Sequence, residues 1–245
     1  MSFLVAVLFL LLEPFPWVHR VMQRGDALLR RTLVTCERQT WGVARWRLAA
    51  WVLLWTLPLA LLWLALWPVA YGWLRLPVEL AVMLWVSGRC SFRCTVHTLK
   101  RYGGLACSAR DWRRWQGRLL WQSHEGLFAV LFWYAFLGPL PAIVYRLLAI
   151  VCEQAEDAAL RRSAVWARHA LDWLPARALV LTLGLAGNLV TAGRVLWPQL
   201  LDMHALPCRL VVEGGRAAAE LSAQPEEARQ GLRVLEQLLN RALLI

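Results

Sequence analysis

Residues 124–151 read HEGLFAVLFWYAFLGPLPAIVYRLLAIV, and the reading of this stretch decides the fold. It exceeds the roughly 20 apolar residues that cross a bilayer as a helix. Yet it opens on His124-Glu125, carries Gly138-Pro139-Leu140-Pro141 at its middle and holds Arg146 near its end. Each proline removes a backbone donor and obstructs the carbonyl four residues back, so two of them beside Gly138 predict a broken or strongly bent helix. Broken helices at membrane depth persist where protein or a polar cavity covers them, and they often frame binding sites. A packing kink, or a shorter helix ending there with 142–151 near the interface, accounts for the same residues without a site.

The rest of the chain sets that stretch among others of its kind. Of 245 residues 59% are hydrophobic, and mean hydropathy is +0.46. Short alternating strands separated by turns, the mark of a barrel, are absent from the pattern. The expected fold class is an all-α integral membrane protein, a bundle of about four to five transmembrane helices with amphipathic cytoplasmic helices. The formal charge is +11, carried almost wholly by arginine, Lys100 being the sole lysine. With no recognition motif beside it, this charge reports topology and contact with anionic headgroups, and no nucleic acid is expected as a partner. Tryptophans such as Trp41, Trp67, Trp121, Trp173 and Trp197 fall near expected span ends, as interface anchors should. The six cysteines imply no disulfide framework, since most lie in segments assigned to the reducing cytoplasm.

Read along the chain, 1–17 is a short N-terminal membrane segment, and residues 2–12 lack the basic start and cleavage site of a signal peptide. Residues 18–47 form a cytoplasmic amphipathic linker. Residues 48–87 make a transmembrane hairpin, kinked at Pro58 and turning through Trp67-Pro68 and Leu76-Pro77. The basic segment 88–123 is split by Gly103-Gly104, with a second helix from about 109 that Ser108 would cap; the positive-inside rule places it in the cytoplasm with 18–47. Residues 124–193 supply two more spans around an external loop, 152–171. The tail, 194–245, is a cytoplasmic helical segment broken by Pro198, Pro207 and Gly214-Gly215.

Three stretches together, EGLFAVLFW, GPLPAIVYRL and LDWLPARALVLTL, resemble the AmpE family of inner-membrane modulators of β-lactamase induction. That family is similar in turn to the cobalamin-pathway membrane synthetases that make adenosylcobinamide phosphate (CobD/CbiB). The resemblance is best over about 120–192. It implies a multi-pass protein of the bacterial inner membrane that regulates an envelope process without catalysis. The synthetase branch carries an ENTxDG motif, and the matching positions here are Trp121, Gln122, Ser123, His124, Glu125 and Gly126. The leading acid has become Trp121, which removes a group able to hold Mg²⁺, so no cofactor is expected. Mg-ATP would belong only to the alternative reading, a membrane amide ligase like the synthetase; a scaffold subunit of a membrane complex is a further alternative. The family usually carries another C-terminal span, of which only the apolar start is present before Ile245.

Ligand- or partner-binding candidates are Glu125, Gly138, Pro139, Pro141, Tyr145, Arg146, Asp172 and Arg177. Glu125 stands at the cytoplasmic lip of its span, where an acid binds a cation or a basic group, or else favours the positive helix N-terminus. Asp172 fits a helix cap with Pro175 in the first turn, and would pair with Arg146 or Arg177. A structural clamp holding two spans together is the plainer reading of such a pair. Cys90, Cys94 and His97 share a helical face near Cys107, but the second half of a zinc site is missing and no metal is assigned. Ser123, His124 and Glu125 are adjacent and point in different directions, so they form no triad. The expected partners are a bilayer with anionic headgroups and either a membrane protein or a second copy of the chain.

Overall fold

The computed structural model describes residues 28–38, 42–65, 75–86 and 109–220, together with 234–235, 237–239 and 241–242. Among the described residues all regular structure is helical, as the composition requires. Residues 2–12, Gly103-Gly104, Ser108 and the Cys90–Cys107 face lie outside them. After helical residues 28–38 come α1 (Ala44–Ala65), α2 (Arg75–Val86) and α3 (Ala109–Ser123). A π-helical turn, His124–Phe128, joins α3 to α4 (Ala129–Leu137), and α5 (Pro139–Gln154) and α6 (Ala158–Ala186) follow. The chain then forms α7 (Leu189–Leu196), a 3-10 turn at Trp197–Gln199 and α8 (Pro207–Ala218).

Contacts divide the chain into two compact units, one of residues 1–89 and 130–171, the other of 90–129 and 172–245. The division falls inside the expected span 124–151, at 129/130, and inside α6, at 171/172.

In the first unit α1 and α2 pack on α5. The helix α5 is the buried member, with Ala142, Ile143 and Leu147 through Val151 inside. By contrast α1 turns Leu53, Leu54, Leu57, Leu61, Leu62 and Leu64 outward. Its residues Ala44–Leu64 have mean hydropathy 1.7, and 11% of the apolar window is buried. It is the one described helix long and apolar enough to cross a membrane. Pro58 lies inside it without ending it. The helical stretch 28–38 is held to α1 by Thr32, whose Oγ1 accepts the indole N–H groups of Trp51 and Trp55 at 3.2 Å each.

The expected external loop 152–171 is instead a turn at 155–157 followed by the first half of α6. Its charges misled because they sit on a helix: Leu160 and Ala164 are buried while Arg161, Arg162, Val165 and Trp166 are exposed. Asp157 starts α6 by accepting the N–H groups of Ala159 and Leu160 at 2.8 and 3.4 Å, which is the role of an N-cap. Asp172 and Pro175 therefore lie inside α6, not at its start.

The segments that flank α1 and α6 also meet. Arg47 Nη2 donates to Asp157 Oδ2 at 2.6 Å, and Glu37 Oε1 accepts from the N–H groups of Glu156 and Asp157 at 2.8 and 3.2 Å. Residues 18–47 and 152–171 were expected on opposite faces of a bilayer. Contacts this short bring Glu37 and Arg47 beside Asp157, so the start of α1 and the end of α5 lie together.

In the second unit α3 and α7 pack on α8, around Leu119, Leu120, Val180, Leu183, Leu196 and Leu210. Gly214-Gly215 does not break the tail but lies inside α8. A Cβ on Gly214 would stand 2.6 Å from Val180 Cγ1, and one on Gly215 2.7 Å from Leu120 Cδ2. The glycines are there because neighbouring helices come that close. The expected span 172–193 is likewise interrupted at Gly187-Asn188. Asn188 Oδ1 accepts from Val190 and Thr191 at 3.0 and 3.2 Å and so opens α7 as a new helix.

Candidate functional site

In the first unit, the helix break falls where the prolines place it. Gly138 adopts φ +85° and ψ −166°, a conformation side chains resist, and Pro139 begins α5 at the position where a missing N–H costs least. The Gly138 N–H still donates to Tyr134 O at 3.0 Å, closing α4. Tyr134 also reaches across the unit, its hydroxyl donating to Glu79 Oε2 at 2.7 Å. Glu79 is buried in α2, so a carboxylate lies one helical turn from the break. Beyond the break, Tyr145 and Arg146 are buried in α5. The Tyr145 hydroxyl accepts from Arg168 Nη2 at 3.5 Å, with that guanidinium 5.4 Å above the Tyr145 ring. Pro141 lies in the first turn of α5 and is half-buried.

In the second unit the buried polar group is built by the π turn. The extra residue leaves the Ala129 N–H bonded to His124 O, five residues back. Such bulges often occur at functional sites. His124 is fully buried, and its Nε2 lies 3.2 Å from Asp172 Oδ1. The Trp121 ring covers it at 5.1 Å between centroids, while Nδ1 has no hydrogen-bond partner among the described residues. In the tautomer whose Nε2–H donates to Asp172 Oδ1, Nδ1 is an acceptor. The pair can fix a ring and hold a proton, but its burial keeps substrate away in this conformation.

Glu125, next along the π turn, is half-buried. Desolvation, and then the carboxylates of Glu125 and Asp172, push the Cys208 thiol up.

Arg177 does not pair with Asp172. Nε donates to Leu200 O at 2.6 Å, Nη1 to Trp173 O at 2.8 Å, and Nη2 to Gln199 O and Asp202 O at 2.7 Å each. Its guanidinium also lies 4.2 Å above the Trp173 ring. Carbonyls, not a carboxylate, satisfy it, and it fastens the 197–202 turn to α6.

Gly138, Pro139, Pro141, Tyr145 and Arg146 thus belong to the first unit, and Glu125, Asp172 and Arg177 to the second. Sequence reasoning missed Glu79 and His124. An acid inside the apolar run 76–87 is a signal that points to Glu79. Nothing in the sequence links His124 to Asp172, because α4, α5 and the first half of α6 separate them.

Among the described residues no group of three or more His, Cys, Asp or Glu side chains is gathered to hold a metal ion. No protein-family model, curated protein or solved structure matches the chain.

Proposed function

We propose that this chain is a multi-pass helical protein of the bacterial inner membrane that regulates an envelope process without catalysing a reaction, as its AmpE resemblance implies. It acts by binding a ligand or membrane partner at the broken helix between α4 and α5. The observation that carries this reading is the break itself. A positive-φ glycine, two prolines and the tyrosine that bonds the buried Glu79 all fall within residues 134–141. Backbone released from helical pairing and a buried carboxylate are both costly in an apolar surrounding, and binding sites repay that cost. The outward leucine face of α1 supports the membrane setting, because six large apolar side chains facing water on one helix would be an aggregation hazard.

The test replaces Pro139 and Pro141 by leucine. In a bacterial host lacking its own copy of the gene and carrying an inducible β-lactamase, the P139L/P141L chain should insert at the wild-type level and fail to restore induction. Restored induction with normal insertion would remove the break from the function.

A further inference from the structure

The second unit carries a crevice of about 580 Å³ between the end of α6 and α7. That volume lies within the roughly 300–1,000 Å³ of ligand sites. Its walls are apolar, with Leu181, Leu185, Leu189 and Val190 lining it, and its single charged lining residue is Arg194. Trp197 also lines it. The lining is continuous with open apolar surface, since Leu185, Val190 and Trp197 are exposed, as are Leu201, Met203 and Leu206 beyond them. The elbow at Gly187-Asn188 creates the crevice by ending α6 and starting α7 beside it. Gly184 lets the two helices approach, for a Cβ there would stand 3.1 Å from the Ala192 Cβ. Arg194 is exposed and makes no ion pair among the described residues.

We propose that this crevice binds one anionic phospholipid, its phosphate on Arg194 and an acyl chain along Leu181, Leu185 and Leu189. The charge selects the occupant. An apolar trough with a lone cation at its rim matches an amphiphile whose head is anionic. An arginine fork suits phosphate oxygens better than the shielded phosphate of a zwitterionic head. The exposed Trp197, three residues after Arg194 and lining the same crevice, has the character of an interfacial anchor. The net charge of +11 reinforces attraction to anionic leaflets. This inference rests on the membrane setting proposed above.

The full chain would be reconstituted into phosphatidylcholine vesicles containing either spin-labelled phosphatidylglycerol or spin-labelled phosphatidylcholine. The motionally restricted lipid is then read by electron paramagnetic resonance. Phosphatidylglycerol should be preferred roughly fivefold, the contribution of one arginine at an anionic surface. The ratio should fall in Arg194→Gln and persist in Arg194→Lys. Leu185→Trp, which fills the trough, should remove the extra restricted component with the charge intact. A ratio unchanged in both Arg194→Gln and Leu185→Trp would overturn the proposal. So would a change of oligomeric state in Leu185→Trp by light scattering at constant lipid selectivity, which would assign the trough to a second copy of the chain. A chain that fails to incorporate into either vesicle would end the membrane setting as well, a result distinct from incorporation without selectivity.

Discussion

Asp157 shows how much a single exposed-to-half-buried side chain organises. One oxygen caps α6 through the Ala159 and Leu160 N–H groups, and the other receives Arg47 Nη2. The Ala159 N–H hydrogen bond, joined by Arg47, holds its carboxyl below the usual carboxylate range against the opposing effect of desolvation. A carboxyl whose pKa is lowered on folding releases its proton more readily when folded. Its stabilisation is complete above the unfolded value of about 4 and is lost as pH falls through the lowered folded value. Thermal unfolding in detergent between neutral pH and about pH 3 should show this loss in the wild type. Asp157→Asn keeps an N-cap oxygen but should flatten that acid limb, while Asp157→Ala should also cost about 0.5–2 kcal/mol at neutral pH, the worth of a cap. An acid limb undiminished in Asp157→Asn would mean that other carboxylates govern it. His124 and Asp172 teach a different lesson at this scale. Neither signals the other in sequence, because the hydrogen bond joins a π turn to the middle of α6. Adjacent residues 123–125 could be dismissed as a triad correctly while the true partner stayed hidden.

Among the elements, helix breaks were legible where backbone chemistry dictates them and illegible where packing does. Gly138-Pro139 breaks the chain because one residue needs positive φ and the next has no N–H to give. Gly214-Gly215 has the same look on paper and stays helical, since Val180 and Leu120 occupy the space a side chain would need. The charges of 152–171 likewise suggested a loop between spans, although their spacing around Leu160 and Ala164 is that of a half-buried helix. The glycines of the second unit should then differ in predictable order. A Cβ at Gly187 would meet the Ala218 carbonyl oxygen, which is fixed backbone. One at Gly214 would press on the branched Val180, and one at Gly215 on the flexible end of Leu120. Overpacking of this kind typically costs about 1–3 kcal/mol. Unfolding midpoints of the alanine variants should therefore fall most for Gly187→Ala, less for Gly214→Ala and least for Gly215→Ala. The reverse order would show that the backbone at 187 yields more easily than the side chains around α8.

For the whole molecule, composition alone specified helices throughout, and among the described residues that is what is found. The alternation of sides was not legible, because it was drawn from loop charge and the structure removes one of the loops. What replaces it is a physical constraint inside the first unit. Arg47 at the start of α1 and Asp157, the cap of α6 just past the end of α5, are 2.6 Å apart, and Glu37 binds the same turn. Two ends so joined lie on one face of any bilayer that α1 crosses. The central claim, that α1 is a lipid-facing span with Glu37, Arg47 and 156–162 on one side, can be measured by sided labelling. In a chain with its native cysteines replaced, single cysteines at Arg38 and at Arg162 would be treated with an impermeant maleimide in intact spheroplasts and in inverted membrane vesicles. The account predicts that both positions react in the same preparation and are both protected in the other. Reaction of Arg38→Cys in one preparation and Arg162→Cys in the opposite one would contradict it.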